Sequence, residues 1–270
     1  MRSVAKKLER DEQENIIPGG KSGQVPRYHL LDALRGCILI SMFLYHGTWD
    51  LVYIFGVKME WFQSAIAHVW QQSICWGFIL LSGFCWHLGS NKWKRGLQVF
   101  LAGAVITGVT YLFMRENIII FGLLTLLGSC MLLMIGLDKL LRKWNCYIGA
   151  IFFFAVFFLT RNVNRGFLGF ETWNLLPLPQ EWYANELTTY LGFMEPGFFS
   201  TDYFSLIPWG FLFITGYYLH GIVMRGKVVE HLNISVCRWL QWMGRNSLLL
   251  YMLHQPALYG ILCVVDYLVR

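Results

Sequence analysis

The sequence predicts an all-α fold: a polytopic membrane helix bundle of about seven transmembrane helices, with the N-terminus cytoplasmic. Three observations predict it. The mean hydropathy is +0.47, and 56% of the 270 residues are hydrophobic against 14% charged, more apolar than a soluble core requires. Apolar runs long enough to cross about 30 Å of hydrocarbon recur along the chain. The Lys and Arg residues between those runs are unevenly shared. With a cytoplasmic N-terminus, fifteen fall on inner segments and five on outer ones, with Arg35 and Arg245 left inside spans. The formal charge of +6 therefore reports orientation and does not point to a nucleic-acid partner.

Taken in order, residues 1–26 are polar, charged and free of a cleavable signal, so they read as a disordered cytoplasmic tail ahead of a membrane domain over 27–270. The apolar runs place spans at about 30–55, 68–88, 96–113, 118–137, 146–160, 206–224 and 239–268. The last contains Pro256, which predicts a kink or tilt. One long loop, 161–205, falls on the outer side and is rich in aromatics and prolines. A loop of that length predicts a lid or binding loop. It also has room for a short interfacial helix around 180–191, with Trp182 and Tyr183 at headgroup depth. The seven cysteines show no CxxC and no Cys/His cluster, and most lie in apolar runs. They read as packing residues, with neither a disulfide nor a metal site expected.

The first span is unusual in carrying Asp32, Arg35, His46 and Asp50. Such groups cost about 2.5–3.5 kcal/mol each at the centre of a membrane helix, so they need partners or a task. At 3.6 residues per turn, Arg35 and His46 point nearly the same way, with Asp32 and Asp50 both within roughly 60° of them. A polar stripe thus runs along the helix, and Arg35 and His46 sit about 16 Å apart on its axis. His46 and Asp50 share a face at a spacing of four. A carboxylate beside an imidazole fixes its tautomer and raises its basicity, which suits general-base or covalent acyl transfer. The same pair could instead be a hydrogen bond that only ties helices together. Asp32 and Arg35, three apart, could form an ordinary ion pair; alternatively Arg35 holds a phosphate, which its forked donors fit.

A second polar cluster lies in GRNSLLLYMLHQP, residues 244–256. Arg245, Asn246 and Ser247 stand at the start of an apolar segment, where an Asn-Ser pair could be an N-cap alone. Ser247, Tyr251 and His254 share a face farther in, and a histidine inside a span is a candidate functional group. Gln71 and Gln72, just inside the outer end of the second span, are candidate acceptor-site residues. The remaining histidines fall near span ends.

These residues carry a family resemblance. LDALRG (31–36), preceded by Arg27 and followed by His46 and Asp50, resembles the heparan-α-glucosaminide N-acetyltransferase catalytic-domain family in its small bacterial form. FGLLTLLG (121–128), GFFSTDYFSLIPW (197–209, containing Asp202) and GRNSLLLYMLHQP (244–256) agree with it in the same order. The resemblance covers residue 27 onward and extends to the wider membrane acyltransferase superfamily. It implies an integral protein of a bacterial plasma membrane that passes acetyl from cytoplasmic acetyl-CoA, with no metal, to an extracytoplasmic sugar or glycan. His46 would be catalytic with Asp50. Asp32, Arg35, Arg245, Asn246, Ser247, Tyr251 and His254 would serve the donor. Gln71, Gln72 and Asp202 would serve the acceptor. The resemblance leaves room for a homodimer, for an O-acetyltransferase of a surface polysaccharide or glycolipid, and for a non-enzymatic seven-helix carrier or sensor.

Overall fold

In the computed structural model the structure describes residues 28–226, 229–234 and 236–269. The tail reading for 1–26 lies outside the described residues. The long helices are α1 (His29–Tyr53), α2 (Ala65–Phe84), α3 (Lys92–Phe113), α4 (Leu123–Leu141) and α5 (Cys146–Leu159). After the loop come α7 (Leu206–Arg225) and α10 (Ser247–Val269). Between them lie the short helices α6 (Glu186–Leu191), α8 (Val229–Leu232) and α9 (Arg238–Arg245), and the strands β1 (Phe167–Phe170) and β2 (Trp173–Pro177). Among the described residues, six helices are long and apolar enough to cross a membrane. The seventh expected span, α2, has 20 residues, about 30 Å of helix. His68, Gln71 and Gln72 in its first two turns make it less apolar than the others.

Helices α1, α2, α7, α4, α3 and α10 close a ring by neighbour packing, with α5 laid against the outside of α7. Leu39, Ile79, Leu126, Met134, Leu212 and Phe213 are almost fully buried at its contacts. Glycines set the closest crossings. A Cβ on Gly83 would overlap the Phe213 backbone, and one on Gly216 would overlap the Leu80 backbone, so α2 and α7 meet backbone to backbone. Small residues permit this approach where no hydrophobic effect drives helices together.

Three departures from the expected spans bear on the site. The segment expected to be one helix over 239–268 is two. Helix α9 ends at Arg245, and α10 begins at Ser247 and runs on through Pro256. The break therefore comes at Asn246, whose side-chain Nδ2 donates to the Trp242 carbonyl at 2.9 Å. Helix α9 lies antiparallel against the start of α1: Gly36 faces Leu240, and Gly244 faces Asp32, each with no room for a Cβ. Helix α4 begins at Leu123 rather than near 118, because Phe121 adopts φ 56° and residues 118–121 pair with the end of the long loop. Ile120 N–H donates to Ser200 Oγ at 2.9 Å, and Thr201 N–H to the Ile118 carbonyl at 2.9 Å.

The long loop is folded. Strands β1 and β2 form a small antiparallel hairpin that the sequence reading missed. The expected helix is present but short, Glu186–Leu191, with Asn185 and Thr188 forming a capping box. Of the two aromatics placed at headgroup depth, Trp182 is exposed. Tyr183 is instead buried, and its hydroxyl donates to the Val163 carbonyl at 2.6 Å.

Candidate active site

The ring encloses a cavity of about 510 Å³, within the usual range for small-molecule sites. Asp32 and Arg35 of α1 stand at one end of it with Arg95 of α3 and Arg245 of α9, and Cys85 lies in the wall beside them. Arg35 Nη1 meets Asp32 Oδ1 at 3.1 Å, and Arg245 Nε meets Asp32 Oδ2 at 3.5 Å. The ion pair weighed for Asp32 and Arg35 therefore exists, with Arg245 as a third member. Glycine packing builds it: Gly36 and Gly244 lock α1 to α9, and that contact sets Arg245 against Asp32. Three guanidiniums against one carboxylate leave this end of the cavity cationic. Away from Arg95 the wall is Val99, Leu124, Leu127 and Phe78, with Tyr251 contributed by α10.

Arg95 is not singled out by the sequence, where it follows Lys92 and Lys94 and belongs with them to the fifteen inner-segment charges. The signal was present in its spacing. Arg95 shares the helix face of the buried Val99 and Ala102 rather than the face of Lys94. Ser247 lines the cavity, whereas Asn246 turns back onto α9.

Beyond Tyr251, outside the cavity lining, lie two imidazoles. The His254 ring lies 5.3 Å from Tyr251 and 4.8 Å from His46, centroid to centroid, and stacks on Phe43 at 5.8 Å. The structure places His254 with His46 at the far end of the stripe, not with the guanidiniums. His254 Nδ1 bonds the Tyr251 carbonyl. A carbonyl only accepts, so Nδ1 carries the proton, and in the neutral ring Nε2 presents a lone pair. The expected His46–Asp50 hydrogen bond is absent among the described residues. Asp50, fully buried, accepts instead from Gln255 Nε2 at 2.7 Å. A residue four along shares a helix face, but the ring of His46 is turned towards α10, and Gln255 reaches Asp50 first. Three buried atoms here have no hydrogen-bond partner among the described residues: Asp50 Oδ2, His254 Nε2 and Gln255 Oε1.

The remaining candidates separate. Gln72 Oε1 accepts from Trp76 Nε1 at 3.2 Å and Arg161 Nη2 at 3.3 Å. Arg161 also meets Glu171 of the hairpin turn at 3.5 Å and lies over the Trp209 ring. Gln72 thus holds the hairpin onto α2 and α7, and Gln71 beside it is half-buried. Asp202 Oδ2 accepts from Leu123 N–H at 3.3 Å and so caps α4 from the long loop. Burial pushes its carboxyl up to about 6, only partly opposed by that hydrogen bond. Leu123 lines the cavity, so Asp202 stands behind that wall.

The four sequence stretches singled out above therefore meet as two pairs. LDALRG packs on GRNS to make the cationic end, and FGLLTLLG packs on FSTDYF behind the Leu123 wall. No match is found among curated proteins or among solved structures. The family model described as heparan-alpha-glucosaminide N-acetyltransferase, catalytic, matches residues 27–256, a span that contains every wall of the cavity and both histidines. The chain is an integral membrane protein of an acetyltransferase family, and belongs to the heparan-alpha-glucosaminide N-acetyltransferase catalytic family.

Proposed function

We propose that the protein takes the acetyl group of cytoplasmic acetyl-CoA and delivers it to an amino sugar or glycan on the opposite face of the membrane. The observation that carries this reading is the cavity: cationic at the Asp32 end, apolar along its wall, and followed by His254 and His46. Arg35, Arg95 and Arg245 offer forked donors to the donor's phosphates, and Asp32 holds two of them in position. The pantetheine arm extends along the apolar wall. The roughly 16 Å between Arg35 and His46 suits its length, so the thioester arrives beside Tyr251 and the histidines. His46 meets the acetyl group there, as transient carrier or as base. Loop charge puts the arginines on the inner side and His46 on the outer side.

The test is made on purified full-length protein. CoA raises the melting temperature, as a ligand bound only to the native state must, by an amount equivalent to about 2.7 kcal/mol at a hundred times Kd. Labelled acetyl-CoA is consumed, and His46→Ala lowers transfer at least about 100-fold, the lower range for loss of a catalytic acid or base. Absence of both CoA stabilisation and transfer would overturn the reading and favour a seven-helix carrier. Undiminished transfer by His46→Ala would remove that residue from it.

A further inference from the structure

We infer that Asp50, His254 and Gln255 form the subsite that receives the acceptor, and that His254 takes the proton from its attacking amine or hydroxyl. The inference rests on the proposed acetyl transfer and assigns residues within it. It begins from the three unpartnered buried atoms. Buried polar groups in hydrocarbon are paired, and leaving one unpaired costs about 1–3 kcal/mol. Here Asp50 Oδ2, Gln255 Oε1 and His254 Nε2 lie on two adjoining helices at one level of the bundle.

All three are acceptors. A carboxylate only accepts. The Gln255 amide must turn its NH2 to Asp50 Oδ1, which leaves its oxygen facing away. The bond from His254 Nδ1 to the Tyr251 carbonyl leaves Nε2 of the neutral ring as a lone pair. A site that offers three acceptors fits a group that supplies N–H or O–H donors, such as an amine with a neighbouring hydroxyl, and repels anions. It therefore differs in kind from the cationic end of the cavity, which suits phosphate.

The chemistry follows. The acceptor's nitrogen or oxygen attacks the acetyl carbonyl carbon, and its proton passes to His254 Nε2. The new C–N or C–O bond forms as the old bond to the acetyl group breaks. The leaving atom, the CoA sulfur in direct transfer or a His46 nitrogen if the acetyl rests there first, receives the proton from His254. His46, 4.8 Å away, is thereby left to the acetyl group. Phe43, stacked on the His254 ring, holds it in register.

The experiment uses the full-length protein with labelled acetyl-CoA. Glucosamine offers both an amine and hydroxyls, glucose offers hydroxyls alone, and hydrolysis measures water as the acceptor. His254→Asn keeps a donor for the Tyr251 carbonyl but has no atom at Nε2. The expected result is turnover lowered about 10²–10⁴-fold, with the KM for acetyl-CoA and the CoA-induced rise in melting temperature unchanged. Asp50→Asn raises the KM for the sugar and leaves that for acetyl-CoA unchanged. His254→Asn within threefold of wild type on whichever acceptor the wild type uses would overturn the inference and leave the proposed transfer standing. So would Asp50→Asn acting only on acetyl-CoA. A wild type that neither transfers nor hydrolyses, and is not stabilised by CoA, would overturn both.

Discussion

Among the residues, Asp32 holds the cationic end of the cavity together. It is one carboxylate between two guanidiniums, Arg35 at 3.1 Å and Arg245 at 3.5 Å. It positions them rather than neutralising the site, because Arg95 adds a third cation to the same wall. Arg95→Ala is expected to weaken CoA binding about 10-fold or more, given roughly 1.5–3 kcal/mol for a hydrogen bond to a charged group. Binding of pantetheine, which has no phosphate, should be unchanged. Calorimetry with the two ligands checks this. Asp202 gives a pH prediction. Its folded value is raised to about 6, so the folded state binds its proton more tightly than the unfolded state does. That contribution is fully present below the ordinary carboxylate range and is lost as pH rises through about 6. Asp202→Asn, which can still accept from Leu123 N–H, should therefore gain stability over wild type above pH 6, by about 1–3 kcal/mol, and lose the advantage near pH 4. Melting curves at the two pH values measure it.

Among the elements, the packing of α9 on α1 decides whether the cationic end exists. Gly244 and Gly36 are its fulcrum. Gly244→Ala forces a methyl into the Asp32 backbone, and overpacking of this kind costs about 1–3 kcal/mol. It should also displace Arg245 and weaken CoA binding. Gly136→Ala in α4, where a Cβ meets nothing within 4 Å, should be neutral or slightly stabilising. Thermal shift with and without CoA separates the two. The helices themselves were legible in the sequence, since their apolar runs are long and the loop charges alternate. The α9–α10 break was not. An apolar segment carrying Pro256 draws the eye to the proline, yet α10 passes through it and the chain turns at Asn246. The hairpin at Phe167–Pro177 was equally hidden, because strands of four and five residues carry little periodicity beside aromatic loop composition. The polar stripe of α1 was readable from spacing alone, whereas its partners were not. That Asp50 would pair with Gln255 and His46 would face His254 depends on how α10 is rotated, and helix spacing within α1 holds no information about that.

For the whole molecule, the arrangement is a ring of helices with one cationic end and one histidine end, joined by a cavity and two imidazoles. The long loop contributes a cap on α4 through Asp202 and a hairpin fastened through Arg161, Gln72 and Glu171. It is folded onto the helices rather than free. Such an architecture suits a reaction whose two substrates never share a compartment. The most direct measurement is a sided transfer assay in sealed vesicles of known protein orientation, with labelled acetyl-CoA supplied only on the face of Lys94 and glucosamine trapped on the face of Lys58. The account predicts acetylated glucosamine inside, abolished by Arg35→Ala or His46→Ala and absent when acetyl-CoA is supplied only on the Lys58 face. Equal transfer from either face would contradict it, as would product formed only when both substrates share one face.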